Sequence, residues 1–201
     1  PRITAFENLL LAARKARRGK RSRGEVLRFH YRLEPNLAEL QRQLQERAYR
    51  PSRYRVFTIY DPKERTISAP PYRDRVVHHA LCNVIEPLFE RTFIHDSYAC
   101  RKGKGTHAAV RRLRDFCRRG GYVLQCDIRS YFPTVDIDIL YGLICRVVSC
   151  PNTAWLIRLI LDAVPPAETP LRYFPGDDLF TPAERPRGLP IGTQVSQLCS
   201  S

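Results

Sequence analysis

GGYVLQCDIRSYFPTVDID, residues 120–138, decides how the rest of the chain is read. A Gly pair opens it, and Tyr122 to Cys126 reads as a short buried strand. The apolar run ends in an acid, Asp127, followed by the aromatic pair Tyr131-Phe132 and the breaker Pro133. A strand that delivers one carboxylate to its C-terminal edge is how a sheet presents a metal ligand at a cleft. The plainer alternative is a solvent-facing turn aspartate, and the stretch alone does not choose between them. Next, Asp136 is placed to cap a helix whose apolar set is Ile137, Leu140, Tyr141, Ile144, Val147 and Val148.

Working outward, 201 residues with 43% hydrophobic content suffice for a real core in one large or two small domains. Lys plus Arg outnumber the acids 34 to 20, a net charge of +14, and Arg dominates. Such an excess fits a phosphate-rich partner, because guanidinium groups fork onto phosphate oxygens. A basic surface serving only solubility is the competing reading. No apolar run approaches the roughly 20 residues of a membrane span, and no signal-peptide core stands at the N-terminus. The partner set therefore excludes membrane, and the expected location is the cytoplasm. Seven Cys without a CxxC spacing, mostly in apolar stretches, read as reduced core residues and argue against zinc. The chain has no Met, even at position 1, which points to a processed or trimmed polypeptide.

Toward the N-terminus, Thr4-Ala5-Phe6-Glu7 has the spacing of a capping box before a helix with Phe6, Leu9, Leu10 and Ala13 on one face. That helix turns cationic before Gly19, and Lys20, Arg21 and Arg23 continue the cluster. Either a backbone-tracking arm or a solvated helix end accounts for it. A second helical region is expected to break at Pro35, with Leu37, Leu40 and Leu44 as its later stripe. Tyr54–Tyr60 and Arg65–Ala69, joined through Asp61-Pro62, predict a β-hairpin within 52–69. Lys63 and Arg65 are two apart and so share a face near its tip, where cations can close over a triphosphate. Cationic edge strands that merely resist aggregation look the same.

Asp74 is predicted to cap a strongly periodic helix carrying Val76, Val77, Ala80, Leu81, Val84, Ile85, Leu88 and Phe89. The adjacent His78 and His79 read as a polar flank. Arg73 and Arg75 oppose the helix dipole, so something anionic should compensate there. In the second basic block, Arg101-Lys102-Gly103-Lys104-Gly105-Thr106 alternates cations with glycine but is no Walker loop. The helix after it should bury Ala109, Leu113 and Phe116 while showing Arg111 and Arg112 to a nucleic-acid groove. A later helix from Asn152 has Trp155, Leu156, Leu159, Ile160 and Ala163, and residues 165–187 read as a Pro-rich insertion.

Four motifs follow in order: DPKERTISAPPYRDRVVHHAL, SYACRKGKGTHAAVRRL, YVLQCDIRSYFPTVD and GLPIGTQVSQ. Together they resemble the successive fingers and palm motifs of bacterial reverse transcriptases, over nearly the whole chain. The Ser196-Gln197 ending is most similar to diversity-generating retroelement enzymes. The resemblance implies an α+β right-hand polymerase fold: helical fingers with a β-hairpin over 1–120, and a partial palm over 121–201. It implies RNA-directed DNA polymerisation with an RNA template, a DNA or RNA primer and dNTPs, and a basic accessory protein as a further partner. Two Mg²⁺ ions, replaceable by Mn²⁺, would activate the primer hydroxyl and stabilise departing pyrophosphate.

Carried over residue by residue, Asp127 matches the catalytic metal-binding aspartate, and Ile128 the position whose backbone carbonyl completes one metal's shell. Phe132 matches the aromatic gate that excludes a 2′-hydroxyl. Lys63, Arg65 and Arg75 match triphosphate-gripping cations, and Ile191 and Gln194 the nucleotide-framing motif. Gly192, with Arg101, Lys102, Lys104, Arg111 and Arg112, would meet the nucleic acid. Two departures stand out. Ile191 replaces a Gln common in retroviral and intron enzymes, which implies looser discrimination and miscopying of template adenines. The Tyr-x-Asp-Asp motif, which supplies the remaining carboxylates, is absent, so the resemblance implies an N-terminal fragment inactive as it stands. A defence-associated reverse transcriptase and a truncated, non-catalytic nucleic-acid-binding module are the alternatives.

Overall fold

The computed structural model describes residues 2–60, 64–165, 173–190, 193 and 195–196. Along them run α1 (Phe6–Arg17), α2 (Gly24–Tyr31), α3 (Leu33–Gln45), β1 (Arg55–Tyr60), β2 (Glu64–Ala69) and α4 (Tyr72–Glu90). There follow α5 (Thr106–Cys117), α6 (Tyr131–Thr134), α7 (Ile137–Val147), α8 (Pro151–Asp162) and α9 (Thr181–Glu184). The chain is α+β, with β1 and β2 forming the one sheet among the described residues.

The core is centred where α4 packs on α1. Small residues make this possible: Ala12, Ala13 and Ala16 on α1 and Ala80 on α4 are buried, so the backbones can approach closely. Asn8 stitches the pair, donating from Nδ2 to the Ile3 and Ala80 carbonyls at 3.0 Å. Leu37, Leu40 and Leu44 of α3 close the core from another side, as their spacing predicts. Pro35 does not interrupt the helix. It lies in the first turn of α3, where a missing N–H costs no hydrogen bond, and the break falls at Arg32. Nor does the capping box form: Ala5 occupies the N-cap of α1 and no side chain caps the helix.

Several expectations of burial change in the structure. His78 is not a polar flank but a core residue, 2% exposed. Desolvation pushes its imidazole down to about 4, so it is neutral at pH 7. Of the six described cysteines only Cys82 is buried, and Cys100, Cys117 and Cys126 are exposed. Finally, α5 buries none of its residues; Leu113 is 54% and Phe116 44% exposed.

The C-terminal half is held more simply. Asp136 caps α7 as expected, accepting from the Asp138 and Ile139 amides at 2.9 Å. Ile137, Ile144 and Val148 join Leu156, Ile157, Ile160 and Leu161 of α8 in the same hydrophobic cluster as the N-terminal helices. Contact between the halves includes Arg47, which bonds Asn152 and lies over the Trp155 ring. The described part of the Pro-rich stretch, from 173 onward, returns to the body through an isolated bridge between Asp136 and Arg187.

Candidate nucleic-acid interface

The hairpin β1–β2 is antiparallel, with Arg55 opposite Ala69, Phe57 opposite Ile67 and Ile59 opposite Arg65. Residues directly opposite share a face, so Arg55, Phe57, Ile59, Arg65, Ile67 and Ala69 form one side of the ribbon. All of β1 is exposed. Arg65 is exposed on this face, whereas Lys63 lies outside the described residues.

The base of the hairpin is fixed by a buried carboxylate. Asp74 does not cap α4, whose N-cap is Pro71. Instead Asp74, 1% exposed, accepts from the Tyr49 hydroxyl and the Ser52 amide at 2.8 Å and from Arg73 at 3.1 Å. Burial, reinforced by the Asp74 charge, raises the Tyr49 phenol, so Tyr49 serves as a donor only. Arg73 also lies over the Tyr49 ring at 4.9 Å. This knot ties the strand entry to the start of α4, so the ribbon leaves the body at a set angle.

The anion that Arg73 and Arg75 require comes from the chain itself. Arg73 pairs with Asp74, and Arg75 pairs with Glu25 at the start of α2. With its side chain only 13% exposed, Arg75 is a structural tie in this state rather than an open triphosphate ligand. No local pattern announced Glu25, which is far from Arg75 in sequence.

The second basic block is likewise divided. The Arg101 side chain, 7% exposed, binds Glu90 at 2.5 Å and the Ile94 and Ser97 carbonyls at 2.7 and 3.0 Å. Lys104 donates to the His95 carbonyl and lies over the Tyr98 ring. Arg112 pairs with Asp96 at 2.8 Å, and its hydrogen bonds hold the Asp96 carboxyl well below the usual range. These three cations fold the loop before α5. Lys102 and Arg111 are exposed, their side chains without a hydrogen bond or ion pair among the described residues, and remain open to a phosphate backbone.

Asp127 does not stand at a strand edge. Residues 120–128 contain no helix or strand, and every residue of this stretch is exposed. The physical reason is that a strand needs neighbours to pair its backbone groups, and the two-stranded ribbon does not extend to it. Ile128 is 68% exposed beside it. Phe132, in contrast, packs partly buried against the core, with the Tyr131 ring at 5.4 Å edge-on. The chain returning at 188–189 docks here: Gly188 N–H donates to the Val135 carbonyl at 2.9 Å and Leu189 N–H to the Phe132 carbonyl at 2.7 Å. Ile191, Gly192 and Gln194 lie outside the described residues.

Among the described residues no three His, Cys, Asp or Glu are grouped so as to hold a metal ion. Asp127 alone does not make the two-ion site that the resemblance implies, and no catalytic step is assigned to Mg²⁺ in this chain. Nor is any described helix long and apolar enough to cross a membrane.

No protein-family profile matches the chain. It is 30% identical over 89 residues to nuclear intron maturase 1, mitochondrial, of Arabidopsis thaliana, covering 44% of this chain and 12% of that protein. It is 33% identical over 100 residues to protein YkfC of Escherichia coli K12, covering 45% and 26%. An uncharacterized 91 kDa protein in the cob intron of Schizosaccharomyces pombe is 29% identical over 98 residues, covering 49% and 12%. Its distant homologues thus include a maturase and an intron-encoded protein. The matched parts make up only 12–26% of those proteins' length.

Proposed function

We propose that the chain forms the nucleotide- and template-gripping part of an RNA-directed DNA polymerase. The observation that carries this reading is the docking of Gly188-Leu189 onto Phe132 and Val135. Two motifs far apart in sequence, both implied by resemblance to frame the incoming nucleotide, meet through backbone hydrogen bonds. An exposed ribbon presenting Arg65, anchored by Asp74, supplies the cationic arm the same reading needs. The matches to a maturase and an intron-encoded protein fit a reverse-transcriptase-related chain. Asp127 lends no geometric support, because it stands in solvent. Within this reading, Ile191 and the Ser196-Gln197 ending favour a diversity-generating role with errors at template adenines.

The test is primer extension on an RNA template with dNTPs and Mg²⁺, using the protein as its gene encodes it. Asp127→Ala is expected to abolish extension, and Phe132→Ala to raise ribonucleotide incorporation. Undiminished extension by the Asp127 variant overturns the assignment. The second reading, a nucleic-acid-binding module that never polymerises, draws on the solvent-exposed Asp127. RNA binding with no extension by the native protein would select it.

A further inference from the structure

Phe132 stands on α6, a single turn of four residues entered from the exposed stretch 120–128. One turn does not hold itself in place, so the Phe132 backbone depends on what bonds to it from outside. The returning segment does this. The Pro186 carbonyl accepts from the Ile137 amide at 3.0 Å, and the Gly188 and Leu189 amides then reach Val135 and Phe132. Yet the pairing has a single bridge, Asp136 to Arg187, and is too short to fix its own register. A slip by one residue would turn the buried Leu189 out of the core. The end of the segment has to be pinned.

Arg185 supplies the pin. Its side chain is 17% exposed: Nη2 donates to Asp177, and Nε lies 3.6 Å from Asp136 Oδ2. The guanidinium also covers the Phe174 ring at 5.1 Å. Both acids are fixed independently of it. Asp136 Oδ1 caps α7, and Asp177 Oδ2 accepts from the Phe174 amide at 2.8 Å. Arg185 therefore joins two points that are already set, one at the α7 cap and one in the Pro-rich stretch. Its Nη1 is buried without a hydrogen-bond partner among the described residues, so its charge rests on those two carboxylates. Arg187 does not share this role, because its Nη2 donates to the Pro182 carbonyl within the same stretch.

We infer that Arg185 is a positioning residue: by bridging Asp136 and Asp177 it holds the register in which Leu189 fixes Phe132, and so sets how strictly that ring rejects a 2′-hydroxyl. The effect on nucleotide selection rests on the proposed polymerase function; the clamp itself does not.

The test compares Arg185→Gln with Arg158→Gln in the protein as its gene encodes it. Arg158 likewise bridges two acids, Asp138 and Asp162, between α7 and α8, so its loss removes an equal charge without touching the Pro-rich stretch. Two quantities are read: hydrogen exchange at the Gly188 and Leu189 amides, and the ratio of ribonucleotide to deoxyribonucleotide incorporation in primer extension. Arg185→Gln is expected to speed exchange at both amides at least about tenfold and to raise the ratio about fivefold or more. Arg158→Gln should change either by less than about twofold. Asp177→Asn, which keeps an oxygen for the Phe174 amide, should shift both in the same direction by less. Arg185→Lys should recover part of the selectivity, because an ammonium keeps the charge beside the acids but cannot fork onto both. Unchanged exchange at the two amides, equal shifts with Arg158→Gln, or faster exchange with an unaltered ratio would each overturn the positioning role. Unfolding of Arg185→Gln would show as fast exchange throughout α1 and α4, and Asp177→Asn then decides by the same two readouts. If the native protein extends no primer, the polymerase reading fails, and the two amides still report whether Arg185 holds the segment.

Discussion

Helix α4 and helix α5 make an instructive pair. Both have apolar residues at helical spacing, yet α4 buries Val76, Val77, Ala80, Leu81 and Ile85, whereas α5 buries nothing. The difference is what lies opposite. α4 faces the alanine surface of α1 and is stitched to it by Asn8, Asn83 and Tyr72, whose hydroxyl donates to the Ala13 carbonyl at 2.8 Å. α5 is held through the loop before it, by Arg101 on Glu90 and Arg112 on Asp96, and not through its own apolar stripe. Periodicity therefore reports which face of a helix can be buried; a partner determines whether it is.

The largest effect should follow from opening the α1–α4 contact. Leu81→Ala removes a side chain with no exposure at all, and is expected to cost about 2–5 kcal/mol of unfolding free energy. Urea denaturation checks it, and a cost below about 1 kcal/mol would mean that α4 is not the centre of the core. Asp74→Ala comes next. It strands the Tyr49 hydroxyl, the Ser52 amide and Arg73 together, for an expected loss of about 3 kcal/mol. Because the same carboxylate sets the hairpin's exit, amide exchange along β1 should accelerate more than global destabilisation explains. A uniform change would reduce Asp74 to an ordinary buried acid.

Acid sensitivity gives a third contrast, since buried titratable groups belong to α4 and not to α5. His78 is neutral in the folded chain down to about pH 4, but protonates near 6.5 once unfolded. The unfolded state therefore binds the extra proton between those values, so stability is complete above about pH 6.5 and falls as pH drops toward 4. Between pH 7 and 5 the loss from His78 should be about 2 kcal/mol, with His79, lowered to about 4 mainly by burial and then by Lys15, adding in the same direction. Replacing His78 with Leu should flatten this slope. An unchanged slope would move the acid response elsewhere.

How much of this was legible beforehand follows the same division. The hairpin, the α7 cap at Asp136 and the α4 stripe were readable because each depends on residues adjacent in sequence or one turn apart. Asp74 has the sequence position of a cap, because the first turn of a helix is where carboxylates cap, and the buried Tyr49 that claims it comes from another segment. Glu25 on Arg75, Arg185 on Asp136, and the docking of Leu189 on Phe132 are tertiary pairings, which no local spacing encodes. The strand at 122–126 failed for a related reason. Alternation and β-branching describe a segment suited to a sheet, but the ladder is made by neighbours.

The smallest effect is the sharpest test of the contrast. Leu113 on α5 has the side chain and the helical setting of Leu81 on α4, but is 54% exposed. Leu113→Ala should change unfolding free energy by no more than about 0.5 kcal/mol, because little apolar surface leaves contact with protein and Ala favours the helix slightly more than Leu. The two leucines thus differ in neighbours and hardly at all in intrinsic preference. If Leu113→Ala instead costs as much as Leu81→Ala in dilute solution, α5 is packed in the folded chain and its stripe belongs to the core. If the cost is small when dilute but grows with protein concentration, the stripe is covered by a second copy, and the exposed run Tyr122 to Leu124 becomes the next place to look for the same contact.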